Sequence, residues 1–415
     1  MAPLSRSHLP QAILLVSMLL VSAGQSILFA TLPPAGRAIG LSDWQIGLII
    51  TLSSVAFIAA SPVWGRLSDS RGRRGMIVLG LTGYALFTAL FAWVLELGMA
   101  GTLTPLASLV ALVAVRIGFG TTVAAAMPAA QAHIIDITPP ERRTAGLARL
   151  SAAYGLGTVA GPLFAAAFAG LGLVFPLYAA AGAAALAAIA VLGGLRHAPH
   201  RSAAAAAAML KPNDPRLRLW LGIALGYFLV VAMVLQSLGF VVQDRLHLEP
   251  SETGRSVGFC LLASGLTAVA VQFLLSRLRV ERPGRLLLAG LPAGIAGLCA
   301  LCMASTLPLF ILGMVGIGAA MGLCMPGLSA AASLAMEDHE QGAAAGLIGA
   351  AQAGGFMLGP LLGAGLYQLG ESLPFLSGIV ILAALFILCL HRLRDGSTHH
   401  GQLIIAKKAR VGGET

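Results

Sequence analysis

Apolar runs of about 20 residues recur along nearly the whole chain and are separated by short polar segments. A bilayer core of about 30 Å takes roughly 20 apolar residues per helix, so each run predicts a membrane-spanning helix. The pattern predicts twelve spans, numbered 1 to 12 in chain order: residues 11–32, 44–64, 75–95, 106–130, 145–168, 172–194, 218–241, 254–275, 285–305, 308–332, 342–366 and 373–391. We therefore expect an all-α membrane protein with twelve transmembrane helices.

The polar segment between spans 6 and 7 divides the chain near its centre. It carries basic residues and the turn-forming sequence Pro212-Asn-Asp-Pro215, which are typical of a linker. We predict a six-helix bundle of residues 1–195, a linker of 196–217, a second bundle of 218–394 and a terminal tail of 395–415.

An internal repeat supports this division. A shift of 198 residues, the interval from Gly118 to Gly316, superimposes spans 4 and 5 on spans 10 and 11. The matched residues are Gly118, Gly120, Met127, Pro128, Gly157, Gly161 and Pro162 with Gly316, Gly318, Met325, Pro326, Gly355, Gly359 and Pro360. Because both Met-Pro pairs and both GxxxGP motifs share one register, we infer two pseudo-symmetric halves.

The GxxxGP motifs have two compatible interpretations. GxxxG spacing allows helix backbones to approach closely in lipid, and a following proline bends the helix. The motifs either pack helices together or place kinks where the halves rock over a central cavity.

Composition agrees with a membrane protein. Of the 415 residues 58% are hydrophobic and 10% charged, and the mean hydropathy is +0.89. The formal net charge of +10 would suggest nucleic-acid binding in a soluble protein, but here the position of the charges explains it. Of the 26 Lys and Arg residues, Arg37, Arg245 and Arg255 fall on one side, Arg116 and Arg149 lie within spans, and the others fall on the opposite side.

This asymmetry predicts the orientation, because the cytoplasmic side retains Lys and Arg. We expect an inner-membrane protein with both termini in the cytoplasm, acting as a monomer without nucleic acid. The five cysteines lie within apolar runs, and the nine histidines lie in tails, loops or helix ends. Neither set has the clustering of an enzyme or metal site, so we expect no enzyme activity, metal or cofactor.

A polar loop between spans 2 and 3 carries a recognisable motif. The sequence Gly65-Arg-Leu-Ser-Asp69-Ser-Arg-Gly72-Arg73-Arg resembles the signature loop of the major facilitator superfamily. The segment around Arg116 and the sequence Gly157-Thr-Val-Ala-Gly161-Pro162 resemble motifs of its twelve-helix drug and metabolite exporters that exchange protons. The last match is partial, since Ala165 and Ala166 stand where that branch usually has two glycines.

The resemblance implies a latch at the cytoplasmic side. Gly65 would allow close helix approach and Gly72 a tight turn. Asp69 would engage the start of span 11 near residues 340–344, and Arg73 with the other basic residues would pair with Asp136. The alternative is that the arginines of the loop only determine the membrane orientation.

Arg116 is the leading candidate for substrate binding or proton coupling, because ionisable residues within a membrane are costly and usually functional. All Asp and Glu residues fall in loops or at helix ends, so proton exchange is implied by resemblance and no carrier is found. Glu96 and Asp43 are the nearest carboxylates, and each is expected to be solvated. Polar or soft residues within spans add six candidates for a cavity between the halves: Gln25, Tyr154, Tyr227, Gln236, Met325 and Gln352.

These observations predict an exporter of a small organic molecule, a drug or a self-made metabolite such as a siderophore. A cavity with one cation, amides and Met suits a neutral, zwitterionic or anionic amphiphile. An importer of a sugar or organic acid remains the alternative, and a membrane protein without transport activity is the third hypothesis.

Overall fold

The computed structural model describes residues 9–139, 143–195, 213–277, 284–337 and 340–411. All regular secondary structure within these ranges is helical. The helices are α1 (Leu9–Ala38), α2 (Asp43–Arg71), α3 (Arg73–Met99), α4 (Pro105–Val123), α5 (Ala126–Ile137), α6 (Arg143–Phe168), α7 (Phe175–Gly194), α8 (Arg218–Leu246), α9 (Pro250–Arg277), α10 (Gly284–Met303), α11 (Leu307–Leu334), α12 (Gln341–Leu369) and α13 (Leu373–Val411).

The twelve predicted spans correspond in order to these helices, with α4 and α5 together forming span 4. Within the described residues, eleven spans are long and apolar enough to cross a membrane, and α4 with α5 counts as one of them, Pro105–Ile137. The twelfth helix, α6, has 26 residues, carries Arg143 and Arg149 near its start and packs along α1. The predicted all-α class is therefore confirmed.

Two helices differ from the predicted boundaries. Span 4 is interrupted at Ala124 and Ala125, just before Pro128, because proline has no N–H and its ring clashes with the carbonyl of the residue four positions earlier. The last helix continues to Val411, so residues 395–411, expected as a tail, are helical. Residues 196–212 of the predicted linker, 196–217, lie outside the described residues.

The two halves repeat the same glycine contacts. A Cβ placed on Gly120 would overlap the carbonyl oxygen of Ser53, which joins α4 to α2. A Cβ on Gly318 would overlap the carbonyl oxygen of Ser264, which joins α11 to α9. Spans 2 and 4 therefore pack as spans 8 and 10 do, in agreement with the predicted duplication.

The GxxxGP motifs join helices within each half. Gly157 and Gly161 of α6 leave no room for a side chain against the backbone of α1 at Leu19 and Ala23. In the second half, Gly355 and Gly359 of α12 pack in the same way against Leu229 and Ala232 of α8. These glycines therefore act in packing, spans 1 and 5 corresponding to spans 7 and 11. Pro162 lies within α6 and Pro360 within α12.

The halves contact each other closely near one end of the bundle, which we call the Arg37 end. There, a Cβ on Gly47 of α2 would lie 2.7 Å from the carbonyl oxygen of Pro360 in α12, and one on Gly239 of α8 would lie 2.7 Å from Pro33 of α1. At the opposite end, the Arg73 end, a Cβ on Gly65 of α2 or on Gly342 or Gly346 of α12 would meet no atom within 4 Å. Close contact between α2 and α12 is therefore seen at Gly47, whereas Gly65, Gly342 and Gly346 face open space.

We expect Gly157→Ala to destabilise the protein, because the new methyl group would push α6 away from the backbone of α1. Overpacking of this kind costs about 1–3 kcal/mol. Thermal unfolding of purified protein in detergent measures the effect. Gly155→Ala is the matched control, since a Cβ there meets no atom within 4 Å and alanine is the better helix former by about 1 kcal/mol. Equal destabilisation by both substitutions would contradict the proposed packing.

Candidate functional site

A small cavity lies within the first half, between α1, α3, α4 and α7. Its lining combines polar side chains with aromatic and aliphatic ones. The lining residues are Gly24, Gln25, Leu28, Tyr84, Thr88, Phe91, Arg116, Phe119 and Leu177. Among these described residues Arg116 carries the only side-chain charge, and no carboxylate lines the cavity.

Arg116 is held by aromatic rings. Its side chain is buried, with the residue 6% exposed. The guanidinium carbon lies 4.1 Å from the ring centre of Phe119 and 5.6 Å from that of Phe91, within the range of cation–π attraction. Its Nε has no hydrogen-bond partner among the described residues. A buried cation with a free donor is energetically costly, and a ligand with acceptor atoms or negative charge would compensate it.

The other walls fix the shape of the cavity. Tyr84 of α3 is 1% exposed and its hydroxyl lies against Gly24 of α1, where any side chain would overlap it. Its ring also packs against Phe119, with 5.3 Å between the ring centres. Gln25 follows Gly24 on α1 and presents the one amide side chain of the lining. The glycine thus lets α1 approach closely enough for a tyrosine and an amide to border the same space as Arg116.

The structure brings together two of the residues that the sequence singled out for binding, Gln25 and Arg116. Tyr154 of α6 is half-buried and close to Tyr84 but does not line the cavity. The four candidates of the second half lie apart from it: Tyr227, Gln236, Met325 and Gln352. The small cavity described here belongs to the first half, and the expected cavity between the halves stays a prediction.

Packing explains why the second-half candidates do not line the cavity. Tyr227 packs edge-on against Phe228, with 5.3 Å between ring centres, and Met325 packs against a hydrophobic core that includes residues of both halves. Gln236 is fully buried, and neither atom of its amide has a partner among the described residues. Gln352 lies half-buried on α12. Their predicted roles in binding stay predictions.

Sequence reasoning missed Tyr84, Thr88, Phe91 and Phe119 as lining residues. Tyr84 and Thr88 lie one helical turn apart on α3, and a polar pair at that spacing within an apolar span was the available signal. Phe91 and Phe119 gave no such signal, because aromatic residues are common on any buried helix face.

The loop between α2 and α3 forms an ion pair at the Arg73 end. Nε of Arg73, the first residue of α3, lies 2.5 Å from Oδ2 of Asp136 in α5, and both side chains are largely buried. Gly72 between the helices has a φ of +94°, a conformation that side chains other than glycine rarely adopt. The predicted contact between Arg73 and Asp136 is thus present, while its role in gating stays a prediction.

Two further residues of the predicted latch are Gly65 and Asp69. Gly65 makes no close contact, so the helix approach that we expected there is absent from this structure. Asp69 lies in the last turn of α2, and its side chain lies outside what the structure describes.

A second network lies at the Arg73 end in the other half. Arg216 donates hydrogen bonds to both carboxylate oxygens of Asp214 and, at 2.9 Å each, to both of Glu340, just before α12. These bonds hold the pKa of Asp214 below its ordinary value, and they raise the pKa of Arg216. The network ties the segment before α8 to the start of α12.

A third network lies at the Arg37 end and joins the two halves. Arg37, at the end of α1, forms ion pairs with Asp43 at the start of α2 and with Asp244 near the end of α8, both with N–O distances of 2.7 Å. From the sequence we expected Arg37 to be a loop charge and Asp43 to be a solvated carboxylate. In the structure both side chains are instead largely buried.

A bundle of long apolar helices is the architecture of a polytopic membrane protein. The family model described as Major Facilitator Superfamily matches residues 14–307 and 253–409. The chain belongs to this superfamily, whose members are transporters and not enzymes, and it is a multi-pass membrane protein that moves small molecules.

Several relatives are named for resistance. The chain is 27% identical over 420 residues to tetracycline resistance protein, class C, of Escherichia coli, covering 93% of this chain and 96% of that protein. It is 25% identical over 384 residues to multidrug resistance protein 2 of Bacillus subtilis (strain 168), covering 90% of this chain and 92% of that protein.

Solved structures share the fold. One is a bacterial homologue of the human lysosomal transporter Spinster, in an inward-facing and occupied conformation, with a TM-score of 0.71, 16% identity, and coverage of 92% of this chain and 96% of that one. Another is the human organic anion transporter MFSD10, with a TM-score of 0.65, 20% identity, and coverage of 94% and 100%. At these identities the likeness concerns the fold.

We expect Arg73→Gln and Asp136→Asn to be non-additive in a double-mutant cycle, because each removes the same largely buried ion pair. A coupling free energy of about 1 kcal/mol or more is expected from the unfolding of purified protein. Combining Asp136→Asn with Arg66→Gln is the control, since Arg66 is exposed and its side chain donates to the Pro62 carbonyl of its own helix. Coupling of equal size in the control pair would refute a specific Arg73–Asp136 interaction.

Proposed function

We propose that this transporter exports a small organic molecule from the cytoplasm across the inner membrane in exchange for protons. The substrate is a drug or a self-made metabolite such as a siderophore. Relatives covering nearly the full length are named for tetracycline and multidrug resistance, which supports export. The exporter-type motifs around Arg116 and at Gly157 to Pro162 support the same direction.

The observation that carries the proposal is the buried Arg116 beside an amide and aromatic rings. Its free Nε is a donor for a substrate acceptor, and the Phe91 and Phe119 rings offer apolar surface. A neutral, zwitterionic or anionic amphiphile fits this lining. A strongly cationic molecule fits it less well, because the described lining offers no carboxylate.

The proposed orientation places the Arg73 end and both termini in the cytoplasm, since basic residues concentrate there. In the structure Gly47 of α2 packs against Pro360 of α12 near the Arg37 end, whereas Gly65 and Gly342 face open space. With this orientation, an opening at the Arg73 end would be the conformation in which an exporter loads substrate from the cytoplasm.

We propose that, in the conformation closed at the Arg73 end, the loop between α2 and α3 closes the cytoplasmic side. Asp69 would engage the start of α12, with Gly65 permitting the approach that is absent here. The Arg73–Asp136 pair would hold the loop in position for that contact. Kinks at Pro162 and Pro360 would let α6 and α12 follow the movement of the halves. We propose that the protein acts as a monomer.

Deletion of the gene, followed by metabolite profiling of cells and medium, tests export. An exported product should accumulate inside the cells and disappear from the medium, and resistance to a transported drug should fall. A product that instead disappears from the cells while remaining in the medium would favour the importer. Unchanged profiles and unchanged drug susceptibility would refute export.

Arg116→Ala is expected to reduce transport driven by a pH gradient in membrane vesicles by about tenfold or more. The reason is that a charge-assisted hydrogen bond contributes about 1.5–3 kcal/mol, and about 1.4 kcal/mol corresponds to a factor of ten. Arg149→Ala is the matched control, since Arg149 is exposed on α6. Full transport by folded Arg116→Ala protein would remove Arg116 from the mechanism.

A further inference from the structure

The charge of Arg116 is not balanced by any residue that the structure places beside it. The side chain is buried, its Nε has no hydrogen-bond partner among the described residues, and no described carboxylate lines the cavity. The rings of Phe91 and Phe119 attract the guanidinium, but a ring carries no net charge. A negatively charged partner would therefore lower the free energy of this arrangement in a membrane interior.

The second half shows that the fold does not require a cation at this position. The shift of 198 residues that relates span 4 to span 10 places Arg116 on Met314 of α11. Met314 is fully buried and belongs to the hydrophobic core. An apolar side chain of similar length therefore fills the equivalent space without any polar group.

The neighbouring tyrosine follows the same rule. Gly83 of α3 packs against Thr122 of α4, and Gly294 of α10 packs against the equivalent residue of α11. The residues that follow these glycines, Tyr84 and Ile295, are therefore equivalent. Ile295 packs against the hydrophobic core, whereas Tyr84 brings a hydroxyl to the cavity. The polar lining is thus an addition of the first half, which points to a ligand and not to packing.

The polar groups of the cavity can all donate hydrogen bonds. Gln25 of α1 has an amide NH₂ group, and Tyr84 and Thr88 of α3 have hydroxyl groups. The two hydroxyls lie close together, so one can donate to the other while the second donates into the cavity. With the guanidinium of Arg116, three helices supply donors to one space. Several donors around a cation, without a carboxylate among the described lining residues, favour an anion.

The size of the cavity limits which anion fits. It has room for about one group of the size of a water molecule. Water would accept a hydrogen bond from Nε of Arg116 but carries no charge, so the cation would stay uncompensated. A halide ion is only slightly larger than water, carries one negative charge and accepts hydrogen bonds from all directions. Sulfate and phosphate are too large for this space.

We propose that the cavity at Arg116 binds a halide ion, chloride in the cell, while no substrate is bound. Arg116 supplies the charge, and Gln25, Tyr84 and Thr88 supply further donors. Gln25 is half-buried and the other three are buried, so the ion enters past Gln25. The inference rests on the proposed function in one respect only, that a substrate acceptor reaching Arg116 displaces the ion.

Thermal unfolding of purified protein in detergent tests the site without substrate or pH gradient. Sodium chloride is titrated against sodium gluconate at constant ionic strength, because gluconate is too large for the cavity. A ligand that binds the folded state stabilises it, so the unfolding temperature should be higher in chloride. The expected rise is about 3 °C at a concentration about a hundredfold above the dissociation constant, and bromide should act like chloride.

Arg116→Met places in the first half the residue that the second half already has. This variant should fold, and the difference between chloride and gluconate should disappear. Arg149→Met is the matched control, since Arg149 is exposed on α6, and it should keep the full difference. A difference that persists in Arg116→Met, or that is absent from the unmodified protein, would overturn the proposal.

If Arg116→Met does not fold, crystals of the unmodified protein grown in bromide give a second test. Anomalous scattering should show a bromide ion in contact with the Arg116 guanidinium, and a map without bromide there would refute the site. If the halide binds as expected but no molecule is exported, the proposed function fails and the anion site stands. If export is found but no halide binds, only the anion site fails.

Discussion

Close contact between helix backbones at glycine is the constraint on which the rest of this structure depends. In lipid, apolar side chains gain little from leaving their surroundings, so tight packing must hold the helices together. Gly120 and Gly318 place their helices directly against the carbonyls of Ser53 and Ser264. At the cavity, Gly24 instead leaves the space that the Tyr84 hydroxyl occupies. The candidate cavity and the scaffold therefore both depend on glycine at helix contacts.

In this closely packed bundle the charged side chains lie in a few distinct places. Arg116 is buried among aromatic rings, whereas Arg37, Arg73 and Arg216 lie near helix ends and pair with carboxylates. Ion pairs at the two ends differ in what they join. Arg73 and Asp136 connect helices of one half, but Arg37 and Asp244 connect the halves. Charges at the Arg37 end thus act on the relative position of the halves.

Much of the fold could be predicted from the sequence because lipid leaves the backbone few alternatives to helices. The number of spans and the duplication followed from hydropathy and from repeated Gly and Pro. The cavity was harder to predict, since a polar residue in an apolar span does not reveal which neighbour it faces. Gln25 and Tyr227 are equally good candidates from the sequence, yet of the two it is Gln25 that lines the cavity with Arg116. Arg37 and Asp244 are 207 residues apart, and each resembles an ordinary charge at a helix end.

The interruption between α4 and α5 makes the two halves mechanically unequal. Regular α-helix in span 4 is interrupted at Ala124 and Ala125, eight or nine residues beyond Arg116, whereas α11 runs from Leu307 to Leu334 without a break despite Pro326. An interrupted helix bends more easily than a continuous one. Span 4 of the first half is therefore the easier of the two equivalent spans to bend, about two turns away from the buried cation.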